Sequence, residues 1–210
     1  LESATAASDS VFGAAPMSPF FGNHDVSRFL SVANGDNVGD AWGAPPAVPA
    51  TESPYFKQRL ALTFIATSPG VPMIYYGDEY GQPGAGDPDN RRFMKWDGYT
   101  PFEQATLDLT KKLGAARAEL AALQRGDRKT LWIDDDHYVY ARTTAQKDVA
   151  IVVLNRDFNA TWTQAVPVPS YVPLPDGTVL KDRLGGPSVT VTNQTIPIAQ
   201  GAHSSAVLAP

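Results

Sequence analysis

Two apolar runs, far apart in the chain and each closing on a polar cluster, constrain what these 210 residues can fold into more than any other feature. Phe20-Phe21-Gly22 leads into Asn23-His24-Asp25, which sets an amide, an imidazole and a carboxylate side by side. Val71-Pro72-Met73-Ile74-Tyr75-Tyr76 leads into Gly77-Asp78-Glu79. Residues 71–76 are apolar on both alternating sets, the pattern of a strand covered on both faces in a parallel sheet. Residues 17–22 read as a shorter strand whose pattern Pro19 weakens. Polar clusters at the carboxyl ends of parallel strands are where barrel and doubly wound α/β enzymes keep their sites.

The residues between and after these runs supply helices. Residues 34–53, rich in Gly, Pro, Ala and Asn, read as a long loop. Ser53-Pro54 has the form of an N-cap followed by proline in the first turn. Phe56, Leu60, Phe64 and Thr67 then fall at helical spacing until Ser68-Pro69-Gly70 stops the helix. Thr100-Pro101-Phe102-Glu103 is a capping box. Behind it Leu109, Leu113, Ala116, Leu120 and Leu123 form one apolar stripe, with Gly126 available as a left-handed cap. Strand, helix, strand, helix with right-handed crossover makes the two strands parallel, and two strands cannot close a barrel.

After Gly126 the pattern changes to short strands at 131–133, 138–142 and 149–154, with weaker ones at 161–166, 178–180, 188–192, 195–198 and 204–209. Such strands, separated by regular turn signals, describe an antiparallel β-sandwich. The fold class is therefore α/β plus all-β. Residues 1–126 would be the βα part and residues 127–210 the sandwich.

"FFGNHDVSRF" followed by "PGVPMIYYGDEYGQPGAGDPDNRRFMKWDG" resembles the α-amylase family of retaining glycoside hydrolases, specifically from Met17 to Gly98, more loosely through Arg125, and only in architecture beyond. The resemblance implies that residues 1–126 are the last βα units of an incomplete (β/α)8 barrel, and that the whole cleaves α-1,4-glucosidic bonds in starch and related glucans, with Asp25 as a catalytic carboxylate. In the family that aspartate stabilises positive charge on the reacting sugar and is neither nucleophile nor acid. Both reacting carboxylates lie upstream of the Asn-His-Asp motif in the family, and nothing in residues 1–22 looks like either. Leu1–Ser8 has no initiating methionine, basic region or apolar signal core, so the start reads as the interior of a longer polypeptide. A secreted or periplasmic location would rest on a signal outside this sequence, and the chain alone would be inactive.

Beside Asp25, the resemblance makes His24 a donor to a hydroxyl of the same sugar, with Asn23 orienting its neighbours and Arg28 in a supporting ion pair. Asp87 and Arg91, four residues apart in a Gly-rich loop, read equally as a sugar-binding pair or as a local salt bridge. Glu79 reads as a supporting carboxylate near the cleft. Trp42, Trp96, Tyr76 and Tyr80 offer flat faces for sugar stacking or are simply core and rim.

Asp134–Asp136 reads as a solvated turn, because a calcium site needs more oxygen ligands at defined spacing. No cofactor is assigned to this chain, and calcium is left to the part preceding it. His137 and His203 show no partner pattern and read as structural. Asn159-Ala160-Thr161 and Asn193-Gln194-Thr195 fit the glycosylation triplet.

The chain contains no cysteine, a net charge of -5 and no basic cluster. These exclude disulfide scaffolds and thiolate metal sites and argue against nucleic acid or anionic lipid as partner. The expected partners are an α-glucan or maltooligosaccharide and a separate amino-terminal piece that completes the barrel. Alternatives are α-glucosidase, neopullulanase or cyclomaltodextrinase specificity. From another class comes a non-catalytic carbohydrate-binding module carried by the sandwich, for which the sequence shows no surface aromatic pair.

Overall fold

Val71 N–H donates to the carbonyl of Met17 at 2.8 Å, and Met73 N–H to that of Pro19 at 3.0 Å. Donor and acceptor both advance by two residues in the same direction, so the two apolar runs pair in parallel. The computed structural model in which this is seen describes residues 2–13, 15–37 and 42–210, the side chain of Asp9 excepted. Part of the expected 34–53 loop, residues 38–41, lies outside the described residues.

Neither run forms the regular strand its pattern predicts, at 17–22 or at 71–76, and the second is not covered on both faces. Val71 is 64 % exposed, Met73 38 % and Ile74 39 %, while Met17 and Phe20 across the pairing are also open. A barrel strand is covered by strands on both edges and by side chains filling the interior. Among the described residues neither run has a further strand beside it.

Among the described residues five helices precede Gly126: α1 (Glu2–Phe12), α2 (Phe29–Asn34), α3 (Ser53–Thr67), α4 (Pro101–Glu119) and α5 (Ala121–Arg125). The sequence pattern assigned neither α1 nor α2. α3 starts one residue early, with Glu52 rather than Ser53 as N-cap and no side-chain cap bond. Its buried residues are Pro54, Tyr55, Gln58, Leu62, Thr63, Ile65, Ala66 and Thr67, so of the expected stripe only Thr67 is buried. Leu60 and Phe64 are half-buried and line an apolar hollow of about 550 Å³ with Phe20, Phe21, Phe29 and Ile133. The capping box of α4 forms as read: Thr100 Oγ1 accepts from Glu103 N–H at 3.3 Å, and Glu103 Oε2 from Thr100 N–H at 2.7 Å. The stripe breaks at Leu120, which leaves helical geometry at φ -94°, ψ 106°. Gly126 is extended at φ -75° rather than left-handed. What requires glycine there is space, since a Cβ would lie 2.9 Å from the backbone of Thr143.

All eight strands among the described residues follow Gly126: β1 (Asp127–Ile133), β2 (His137–Thr143), β3 (Val149–Asn155), β4 (Trp162–Pro167), β5 (Val179–Asp182), β6 (Val189–Thr190), β7 (Thr195–Gln200) and β8 (Ser204–Ala209). They form one sheet in the order β1-β2-β3-β8-β5-β6 and a second of β4 and β7, every pair antiparallel. Val139, Ile151, Val153, Val166, Ile196 and Leu208 fill the space between the sheets. The other face of the large sheet, through Tyr138, Tyr140, Val152 and Val207, packs on Leu62, Ala66, Leu113, Ala116 and Leu123 of the helices. β3 is therefore buried along its whole length.

Two arginines fasten this seam. Arg142, fully buried, donates from Nε and Nη2 to the Gly126 carbonyl at 3.1 and 2.6 Å, and from Nη1 to the Thr67 carbonyl. Arg117 donates to the carbonyls of Ala66 at 2.8 Å, Ser68 at 3.2 Å and Gly70. Together they satisfy the last two carbonyls of α3, those of Ala66 and Thr67, where a cation also suits the helix dipole.

The turn between β1 and β2 is organised rather than merely solvated. Asp134 Oδ1 accepts from the N–H of Asp136 and His137 and faces His137 Nδ1 at 2.8 Å, while its Oδ2 takes Trp132 Nε1 at 2.9 Å. Burial alone would raise its pKa, but these donors outweigh it and bring Asp134 to about 2. His137 thus has a partner that the sequence did not show, and it stacks on Trp162 at 4.4 Å. Trp162 in turn meets Trp132 at 6.1 Å. The sandwich does hold an aromatic pair, half-buried and pinned from its edge.

Candidate active-site loops

Residues 24–26 form a short exposed arc directly after the first apolar run. The side chains of His24 and Asp25 are 62 % and 69 % exposed, with Nε2 and Oδ1 3.3 Å apart. Asn23 Oδ1 accepts from Asp25 N–H at 2.7 Å, an Asx turn that bends the arc from within. The carboxylate stays exposed, with one oxygen beside the His24 ring.

Arg28 anchors the arc from behind. Fully buried, it donates from Nε to the Asn90 carbonyl at 2.8 Å and from Nη1 to Asp78 Oδ1 at 3.2 Å, and its guanidinium lies 4.2 Å from the Tyr75 ring. Its backbone N–H donates to the carbonyl of Gly84 at 3.0 Å. Gly84 must be glycine here, because a Cβ would come within 2.9 Å of Arg28 Cγ and of the Asp89 carbonyl. The supporting ion pair expected of Arg28 has Asp78 as its partner. Burial pushes the Asp78 carboxyl up to about 6, although Arg28 pulls it down. Taking the pair apart would leave a charge buried without compensation.

The third loop carries two separate acid–base pairs. Asp87 Oδ1 meets Arg91 Nε at 2.8 Å, both half-exposed, so the residues read as a sugar-binding pair are joined to each other. Asp89 takes Arg92 through two bonds of 2.7 Å, and Arg92 reaches back to the Pro46 carbonyl. Burial would raise the Asp89 pKa, but the Arg92 bond and the Ala85 N–H hold it below the usual carboxylate range. Glu79 turns onto its own loop, where Oε2 accepts from Gly77 N–H at 2.6 Å.

Of the stacking candidates, Tyr80 is excluded: it is 1 % exposed and its hydroxyl is committed to Gln82 at 2.9 Å. Tyr76 keeps part of its ring open while donating to the Arg92 carbonyl. Trp42 and Trp96 are each 80 % exposed, and Phe93, which the sequence did not single out, is 99 % exposed. Asn90 was also missed. Fully buried, its Nδ2 donates to the carbonyls of His24 and Val26, each at 2.9 Å. Among the described residues, no three His, Asp or Glu side chains are grouped so as to hold a metal ion.

This constellation of loops at the ends of two parallel runs lies inside the span, residues 3–150, that matches the family described as "Alpha amylase, catalytic domain". The chain belongs to that family. An alpha-amylase of Niallia circulans is 35 % identical over 178 residues, covering 82 % of this chain and 28 % of the relative. A cyclomaltodextrin glucanotransferase of Geobacillus stearothermophilus is 35 % identical over 169 residues, covering 80 % of the chain and 20 % of the relative. Among solved structures, the alpha-amylase from Geobacillus thermoleovorans complexed with acarbose superposes with a TM-score of 0.73 at 26 % identity. That match takes in 92 % of this chain and 38 % of the other. The chain therefore spans well under half the length of these alpha-amylase relatives. What it shares with them is the end of the (β/α)8 barrel and the β-sandwich behind it.

Proposed function

We propose that the chain is the carboxyl-terminal part of a retaining glycoside hydrolase that cleaves α-1,4-glucosidic bonds in starch and related glucans. In this reading Asp25 faces the positive charge that develops on the reacting sugar, where a fixed carboxylate lowers the barrier. His24 donates to a hydroxyl of the same glucose, and Asp87 with Arg91 holds a neighbouring one. Nucleophile and acid/base come from preceding residues, and the barrel part gives way to the sandwich at residue 126. The observation that carries the reading is the Asn23–Asp25 arc, exposed at the carboxyl end of a parallel-paired run and braced by a buried arginine. The open faces of Met17, Phe20, Val71, Met73 and Ile74 support a partner piece of polypeptide that supplies the missing strands.

The test is Asp25→Asn in the protein with its whole barrel, assayed on starch. Loss of a transition-state electrostatic group should lower kcat by about 10²–10³-fold or more, and near-normal turnover would reject the assignment. A second reading, neopullulanase or cyclomaltodextrinase specificity, is favoured by similarity to a Geobacillus cyclomaltodextrinase (35 % identical) and a Thermoactinomyces neopullulanase (34 % identical). Product analysis on starch, pullulan and cyclodextrin separates the two.

A further inference from the structure

We infer that Asn90 is a positioning residue that sets the arc bearing Asp25 and ties it to the Asp87–Arg91 pair, an inference that rests on the reading of Asp25 above. Asn90 is completely buried, and one group, Nδ2, bonds the carbonyls of His24 and Val26 at 2.9 Å each. These two carbonyls lie on either side of Asp25, so the peptide carrying the carboxylate is pinned at both flanks. Because both partners are carbonyls, only the amide nitrogen can occupy this place, and a carboxylate of the same shape cannot replace it. Asn23 fixes the arc from inside through the Asp25 N–H, and Asn90 fixes it from outside.

The second half of the link is backbone. Asn90 sits in the 3-10 turn Asp89–Arg91, and its own carbonyl accepts from Arg28 Nε at 2.8 Å. Arg28 is three residues beyond Asp25, and Arg91 is the next residue after Asn90. A movement of the Asp87–Arg91 turn therefore reaches the Asp25 arc through one buried side chain. The sugar-binding pair and the arc that carries the carboxylate thereby share one buried anchor. A reacting group displaced by a fraction of its own size loses much of its effect, which is what makes such a clamp kinetically visible.

Two variants, Asn90→Asp and Asn90→Ala, test this by two readouts. In the 210-residue chain, hydrogen exchange of the 23–27 segment should accelerate about tenfold while exchange in β3 stays unchanged. In the protein with its whole barrel, kcat on a soluble maltooligosaccharide should fall about ten- to a hundredfold. That fall should exceed the loss of folded protein seen by thermal melting, and KM should move by less than about threefold. Arg91→Ala should show the reverse split, a raised KM with a smaller change in kcat. Unchanged exchange at 23–27 in either variant would overturn the clamp. So would a kcat loss no larger than the loss of folded protein. If the parent protein cleaves no glucan at all, the functional reading fails, and the exchange measurement still decides whether Asn90 holds the arc.

Discussion

The two halves of the molecule satisfy their apolar surface in different ways. The sandwich buries β3 on both faces and fills the space between its sheets with its own residues. The barrel half leaves Val71, Met73 and Ile74 open and rests its helices on the sandwich. An apolar run is thus no measure of burial by itself; the partners that the topology supplies decide it. Ile151→Ala, in the sandwich interior, should cost about 2–5 kcal/mol in urea unfolding. Ile74→Ser, at the open face, should stay within about 0.5 kcal/mol in the isolated chain. Equal costs at the two sites would break the comparison.

Between these limits lie the fastenings. Arg142→Ala removes the charged donors to the Thr67 and Gly126 carbonyls and should cost about 2–3 kcal/mol. Its mark would be faster hydrogen exchange in α3 than in β3, which would sharpen the view that the sandwich supports the helices. Thr100→Ala removes one side of the α4 capping box and should cost about 1 kcal/mol, read as a lower urea midpoint.

The effects of pH have opposite signs in the two halves. Asp78 has its pKa raised by burial to about 6. Its contribution is complete below the unfolded value near 3.8 and is lost as pH rises through about 6. Asp134, held at about 2 against the pull of burial, contributes above 3.8 and loses that contribution as pH falls toward about 2. Its side chain is 41 % exposed, so solvent screening keeps the effect below about 1 kcal/mol. Asp78→Asn should flatten the melting temperature between about pH 4 and 7, and Asp134→Asn the fall below about pH 4. A single slope shared by both variants would contradict the separation.

Much of the fold was legible because its signals are local. Alternation within each short segment located the eight strands to within a few residues, and Thr100 and Glu103 announced the start of α4. Features that depend on distant partners were not legible. The coverage of residues 71–76 hangs on neighbouring strands, and the buried stripe of α3 is set by which face meets the sheet. α2, only six residues long, carries too little periodicity to register. At the site, the Asn-His-Asp arc and the Asp87–Arg91 pair stood out by residue type. Asn90 did not, because its partners are backbone carbonyls 64 and 66 residues away and no spacing rule encodes them. The charged residues around it drew the eye to Arg28, yet its partner Asp78 became identifiable only through the fold.

The fastening at Arg142 sets a condition on exchanging modules. A different β-domain grafted behind these helices would need a long cation aimed at the last carbonyl of α3. It would also need a junction residue without a side chain where Gly126 passes the backbone of Thr143. Recombination that respects only the sequence boundary would leave the helix end unplugged, so the transferable unit is the sandwich together with its arginine and the glycine before it.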